Sequence, residues 1–458
     1  MKLRLRLSAL HCAVILGTTA LPLPALSASG AMDDLLKVLR DKGAITESEY
    51  RILRNSAEAD QERASAEKEE MKKDLSEATR DTVKVKTGKS GLKLESADGD
   101  FHFQLGGRIM ADAAYYDEDR TRMGNGAELR RARIFARGAV YHDWFYKLQL
   151  DFAGNKTTLK DAYLGYRGAG NLKLTLGNQK EPFSLNELTS SKYITFLERA
   201  LPNTFAPGRN LGLSVGTHGD NWGAKAGYYF EGVHNGSSPK SQGWGTTGRV
   251  YYAPLAEKTR VLHLGAAASY RGSDGDNEIR FRERPESHVS GTRLVDTGTI
   301  GGYRNQKLYG LEAVAVYDSL SLQGEYIRSS IDVSGGGSDP DFSGWYLFGS
   351  YFLTGEHRPY HVGSGTFGRV KPASIVGKGG HGAWELAARY SSVDLEDGGY
   401  QGGEENNITV GVNWYATPNI RFMANYVRAS TDPTSPVKYA SAGDEDLNIL
   451  QVRGQIDF

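Results

Sequence analysis

Arg280, Arg282 and Arg284 take alternate places in the run E-I-R-F-R-E-R-P. An extended backbone there aims three guanidinium groups the same way, about 7 Å apart. Cations at that pitch can pass an anion along without any one of them holding it. Glu278 and Glu283 lie among them, and a solvated loop neutralised by those carboxylates is the other reading. A second set, Arg108, Arg131, Arg133 and Arg137, falls on the wet face of two neighbouring strand-like segments. Arg130 has the opposite parity and joins them only if its strand starts later or bulges. Like charges crowded on one face repel, and inside a pore a cationic lining selects for anions. A third set lies in the segment Gln179 to Arg209, too long for a simple turn between two strands and the natural candidate for a loop folded into a lumen. There Lys180, Ser190, Ser191, Lys192 and Arg199 are candidates to line a constriction, with Glu181, Glu187 and Glu198 offsetting them; Glu198 and Arg199 fit a surface ion pair equally well.

The elements that would position these residues are strands. Leu450, Val452, Gly454, Ile456 and Phe458 alternate with Gln451, Arg453, Gln455 and Asp457, one oily face against one wet face, ending on an aromatic. About sixteen such segments run from Phe101 to Phe458, and roughly ten-residue segments of this kind separated by turns are the signature of a transmembrane barrel. The expected fold is therefore all-β, a 16-stranded antiparallel barrel filling residues 83–458, with an inward-folded loop around 179–209. Composition agrees: 56 Gly, 25 Tyr and 16 Phe with only 39% hydrophobic residues suit short strands and turns. Very short turns such as Tyr141-His142-Asp143, Tyr317-Asp318-Ser319 and Ala416-Thr417-Pro418 are expected on the periplasmic side. The long connections Arg271 to Asn305 and Thr354 to Gly382 are expected outside.

Ahead of the barrel, residues 1–28 read as a secretory signal, with Lys2, Arg4 and Arg6, an apolar run and a small-residue site at Ala25-Leu26-Ser27-Ala28. Cys12, the chain's 1 cysteine, lies within it, so no disulfide or thiol chemistry is expected of the exported protein. Residues 29–82 read as a periplasmic helical segment: Met32 to Leu39 and Ile45 to Arg54 as short amphipathic helices, and Thr46 with Glu49 as a capping box. From Ser56 to Asp81 a charged stretch is either a weak coiled coil or a solvated single helix or linker. Val83 to Leu94 reads as extended and basic.

Balanced charge, Lys+Arg 55 against Asp+Glu 55, gives no case for nucleic acid. The chain lacks the zincin and phosphate-loop motifs, and its 10 His are dispersed. No enzyme activity, cofactor or metal is expected.

With those stretches in view the sequence resembles the phosphate- and polyphosphate-selective porin O/P family. The resemblance rests on L-G-G-R (Leu105 to Arg108), L-R-R-A-R (Leu129 to Arg133), T-S-S-K (Thr189 to Lys192), L-E-R (Leu197 to Arg199), the arginine run at 280–284, G-A-W-E-L (Gly382 to Leu386) and G-V-N-W-Y-A (Gly411 to Ala416). It implies a homotrimer of barrels in the bacterial outer membrane that conducts anions through an arginine ladder, a constriction and periplasmic lysines. It also implies that Arg130 with Arg131, Ser190 with Ser191, and Asp161 line the constriction. The chain departs from the phosphate-selective pattern at Glu187, where a lysine is expected, and at Arg133, where a tyrosine is. The function expected is an anion-preferring diffusion channel for phosphate or polyphosphate; the alternatives are a weakly selective pore for sugars or dicarboxylates, and a tether between outer membrane and cell wall.

Overall fold

The computed structural model describes residues 28–79, 83–88, 91–233, 241–273, 277–335, 337–432 and 445–458. The expected signal therefore lies outside the described residues except for Ala28. The chain divides into two compact units, Met1–Thr82 and Val83–Phe458.

The first unit is helical. α1 spans Ala28–Asp41 and α2 spans Glu47–Thr79 without a break. The capping box forms: Thr46 N–H donates to Glu49 Oε2 at 2.7 Å and Glu49 N–H to Thr46 Oγ1 at 3.3 Å. Leu36 and Tyr50 are buried, whereas Ile52, Leu53 and Met71 are exposed. The second short helix of the sequence reading and the charged stretch after it are thus one 33-residue helix.

The second unit is a closed 16-stranded antiparallel barrel. Its strands are β1 His102–Asp117, β2 Gly126–Val140, β3 Trp144–Asp151, β4 Thr158–Ala169, β5 Leu172–Lys180, β6 Arg209–His218, β7 Trp222–Phe230 and β8 Trp244–Ala256. There follow β9 Arg260–Gly272, β10 Tyr303–Tyr317, β11 Leu320–Val333, β12 Asp341–Phe352, β13 Ala383–Asp397, β14 Tyr400–Tyr415, β15 Ile420–Asp432 and β16 Glu445–Asp457. Each pairs with its chain neighbour, and β16 closes the ring on β1, from Asn448 against Asp117 to Asp457 against Arg108. The alternation does what the sequence pattern requires: Leu450, Val452 and Ile456 are exposed on the outer wall while Gln451, Arg453 and Gln455 are buried inside. At its start β1 outruns β16, and the hairpin Lys84–Gly88 with Gly91–Glu95 pairs along that free edge, Leu92 against Leu105 and Glu95 against His102. An otherwise open edge is thereby covered.

Tyr141 and His142 both take positive φ, 49° and 64°, although neither is glycine. That conformation matches the strand twist in a tight hairpin between β2 and β3. The expectation for Thr354 to Gly382 fails. Strands alternate in direction, so the connection from β12 to β13 emerges at the same end as the short turns after β2, β10 and β14. It returns into the barrel there: Tyr251 Oη donates to the carbonyl of Val362 at 2.5 Å and Arg358 to Gln323 Oε1 at 3.0 Å. At the opposite end the β13–β14 connection is only Gly398 and Gly399, both at positive φ. Nor are all inward positions wet. Leu308, Ile327, Ile331, Phe342, Val393 and Leu395 face inward and pack against Phe183, Leu201 and Phe205 of one loop and Phe281, Val295 and Ile300 of another. The barrel thus carries an apolar core wherever loops dock.

Candidate functional site

The segment after Lys180 folds into the lumen because its backbone finds partners there. Ser184 caps the short helix α3 (Leu185–Leu188), its hydroxyl accepting from Glu187 N–H at 3.2 Å. Beyond α3 the chain crosses to the far wall. Leu197 N–H donates to Asn425 Oδ1 at 2.8 Å and Leu201 N–H to Ser391 Oγ at 2.9 Å. Arg421 donates to the carbonyls of Ile194 and Thr195 at 2.7 and 2.9 Å, and Arg453 to that of Leu197 at 2.6 Å. Backbone that leaves the wall and is buried inside the barrel needs such donors and acceptors, and the polar inner face supplies them.

That loop meets the cationic face of β1 and β2. Arg108 donates to Ser191 Oγ at 2.7 Å and to Ser190 Oγ at 3.4 Å, so the paired serines and this arginine form one cluster. A β-bulge puts Met110 opposite Arg131 but Ala111 opposite Leu129, leaving Arg130 as the extra residue. Both arginines then turn inward to the same carboxylate. Arg130 forks onto Glu198 at 2.8 and 2.9 Å, and Arg131 lies 3.6 Å from it. Arg453 reaches Glu198 at 2.8 Å as well. Glu198 and Arg199 are accordingly not a surface pair. Arg199 instead bonds the Glu187 carboxylate at 3.1 Å and the carbonyls of Asn186, Glu187 and Thr189 at 2.8 to 3.1 Å.

The remaining candidates fall into compact ion groups. Asp161 lies between Lys147 at 2.5 Å and Arg209 at 2.7 Å. Glu187 lies between Lys180 at 3.0 Å and Arg199 at 3.1 Å. Arg133 bonds Asp151 at 2.6 Å and Lys192 bonds Asp457 at 3.2 Å. Glu181, buried, takes Arg271 at 2.9 Å.

The arginine run is arranged differently from the expectation of three aligned, available groups. Arg280 is bound bidentately to Asp296 at 2.7 and 2.6 Å, and Arg284 Nε donates to the carbonyl of Ser290 at 3.1 Å. Glu283 accepts from the N–H of Arg284 at 2.9 Å. Among the described residues Arg282 is exposed with no side-chain partner. The reason is Phe281, which buries itself against Phe205 and Phe342 and pins the segment to the apolar core.

Between the constriction and the end bearing the short turns lies a void of about 1270 Å³, and the arginine run does not border it. Thirteen Lys and Arg side chains line it against two acids, Glu95 and Asp161. Five of those cations have only neutral partners among the described residues. Arg108 bonds the two serines, Arg137 bonds Gln104 at 2.9 Å, and Arg167 bonds the carbonyl of His142 at 2.9 Å. Lys225 bonds Gln179 at 3.0 Å, and Lys173 sits 4.5 Å from the centre of the Phe145 ring. Lys147, Lys173, Arg209, Lys225 and Arg453 were not singled out by spacing. The signal for the strand residues was parity with neighbouring polar positions, which marks the wet face but not which cation stays unpaired.

The family model for phosphate-selective porin O and P matches residues 103–458. Porin O of Pseudomonas aeruginosa is 29% identical over 420 residues, covering 81% of this chain and 92% of that protein. An uncharacterised protein of Caulobacter vibrioides is 32% identical over 377 residues, covering 79% of this chain and 75% of its own. Among solved structures, an anion-selective porin from Comamonas acidovorans aligns with a TM-score of 0.52 at 16% identity, over 78% of this chain and 100% of that one. The outer-membrane protein OmpT of Vibrio cholerae, including a trimer form, aligns at 0.51 with 12% identity over 78% and 99%. These structures share the fold.

Proposed function

Because the chain belongs to the phosphate-selective porin O and P family and is a multi-pass porin of the outer membrane, we propose that its lumen conducts anions in preference to cations, with phosphate or polyphosphate as solute. The observation that carries this reading is the lining of the void, thirteen cations to two acids in a chain whose total charge is zero. A cationic lining at low dielectric lowers the barrier for an anion and raises it for a cation. Arg108 with Ser190 and Ser191 offers a guanidinium and two hydroxyls at one spot, donors suited to the acceptor-only oxygens of phosphate. Glu187 works against tight binding, since it occupies Lys180 at the end of β5 and Arg199 of the loop. Under a KCl gradient in a planar bilayer the reversal potential is expected to have the sign of chloride preference; potassium preference would exclude the proposal.

A homotrimer is part of the same reading. The five consecutive strands β3 to β7 are 8 to 12 residues long, whereas all the others are 12 to 16. A tilted strand needs about 9–11 residues to cross the hydrocarbon, which leaves most of this arc little margin and β3 none. The low arc is better covered by further copies of the chain than by lipid at full thickness. The helical segment would then serve trimer assembly or attachment to the cell wall, not conduction. Deleting residues 32–81 is expected to leave single-channel conductance unchanged, and a lost or cation-selective current would assign that segment to the pore.

A further inference from the structure

Two inward loops enter the barrel from opposite ends, residues 181–208 and residues 353–382, and one buried polar network joins them. The first turn of α3 rests on two acids of adjacent strands. Leu185 N–H donates to Glu312 Oε2 of β10 and to Glu325 Oε2 of β11, each at 3.0 Å, and Asn186 N–H donates to Glu325 Oε1 at 2.7 Å. Glu312 also accepts from Arg249 of β8, at 2.8 and 2.5 Å, and faces His263 Nε2 of β9 at 3.0 Å. The other ring nitrogen of His263 bonds Tyr360 Oη at 2.7 Å, and Arg249 donates to the carbonyl of Gly365 at 2.9 Å. Both contacts fasten the second loop. Glu325 in turn accepts the Tyr346 hydroxyl of β12 at 2.5 Å; Tyr346 accepts from Gln323, which holds Arg358 of the second loop at 3.0 Å.

Glu312 and Glu325 converge on one N–H donor in a dry site, so a charge on one disfavours a charge on the other. Of the two carboxylates, Arg249 bonds only Glu312. Glu325 faces Glu312, the Tyr346 and Ser184 hydroxyls and the loop amides, with no cation bonded to it among the described residues. The remaining ionisable groups at this cluster are His263, which faces Glu312 and not Glu325, and the phenols of Tyr251, stacked on His263, and Tyr360.

We propose that Glu312 and Glu325 are positioning residues for the constriction, acting through the first turn of α3, and that a proton carried by Glu325 governs how firmly both inward loops are held. Stripping that proton sets a second negative charge beside Glu312 in a dry site, and hydration of the pair competes with the loop contacts. Both loops then loosen together. This inference rests on the channel reading but not on its anion preference. A potassium-selective reversal potential would sink the latter and leave the latch standing, whereas a flat pH profile in an anion-selective channel sinks only the latch.

The test is single-channel conductance of the full chain from about pH 5 to pH 9, where a rise of about twofold is expected for the unaltered protein and none for Glu325→Gln, which is neutral throughout. A parallel readout labels Ser364→Cys with a membrane-impermeant thiol reagent. Its rate, corrected for thiolate fraction, should follow the same transition and lose it when Glu325→Gln is added. Constant conductance in the unaltered protein, or a transition surviving in Glu325→Gln, overturns the proposal. Labelling at Ser364→Cys that ignores the transition overturns the coupling of the loops. If Glu325→Gln does not assemble, Tyr346→Phe decides: losing the hydroxyl that favours ionised Glu325 should raise the midpoint by about one pH unit, and an unmoved midpoint refutes the role of Glu325.

Discussion

Replacing Glu187 by Gln is expected to strengthen phosphate block of the chloride current about tenfold. The carboxylate lies between Lys180 at 3.0 Å and Arg199 at 3.1 Å, and its buried charge cancels part of their attraction for an entering anion. Removing one unit charge a few ångströms from a solute, at the effective dielectric of a partly wet protein site, changes its binding by on the order of 1–2 kcal/mol. The loop should survive the change. Arg199 keeps the carbonyls of Asn186, Glu187 and Thr189, and Lys180 keeps the Glu187 carbonyl. The measurement is the phosphate concentration that halves chloride conductance in a planar bilayer. Half-block at an unchanged concentration would mean that Glu187 faces away from the conducting path, and that the departure at this position has no bearing on selectivity.

How much of this was legible beforehand differs between wall and loops. All sixteen strand segments could be found because a wall between lipid and lumen imposes a period of two on each of them. The inward course of Arg108 and Arg131 followed from the same parity. Arg130 was readable only as a conditional, since a bulge is a matter of register and shows up only against the partner strand. The length of residues 353–382 points to the wrong side. Direction alternates along the chain, so a connection following an even-numbered strand returns to the short-turn end whatever its length; the count was in the sequence and outranks the length rule. The run at Arg280 departs from its alternating pattern for a different reason. Alternation fixes which residues share a side, but Phe281 was free to bury, and an apolar ring that finds Phe205 and Phe342 anchors the segment more firmly than three solvated guanidinium groups could hold it open. Inward apolar residues such as Ile327 and Ile331 break the two-faced pattern where loops cover the wall, and no local signal announces where a loop docks.

Arg453→Met is expected to destabilise the barrel by about 3–5 kcal/mol, the largest loss predicted for any single side chain here. Arg453 is wholly buried, opposite Asp112 across the seam where the last strand closes on the first. Its Nε and one Nη bond the two Asp112 oxygens at 2.7 and 2.6 Å, that Nη also reaches Glu198 at 2.8 Å, and the other Nη holds the Leu197 carbonyl at 2.6 Å. One side chain therefore joins ring closure to the seating of the constriction loop. Met fills much of the volume but leaves Asp112 charged without its bidentate partner, and an orphaned buried charge costs more than the pair contributes. Glu198 suffers less, because Arg130 still holds it at 2.8 Å. The contrast yields an ordering that a simple loss of packing would not: Asp112→Asn in the Arg453→Met background should recover part of the lost stability by removing the orphaned charge. The midpoint of heat-induced conversion from folded to unfolded mobility on SDS gels reports both changes. A double variant no more stable than Arg453→Met alone would place the role of Arg453 in packing and its hold on Leu197, not in the charge pair at the seam.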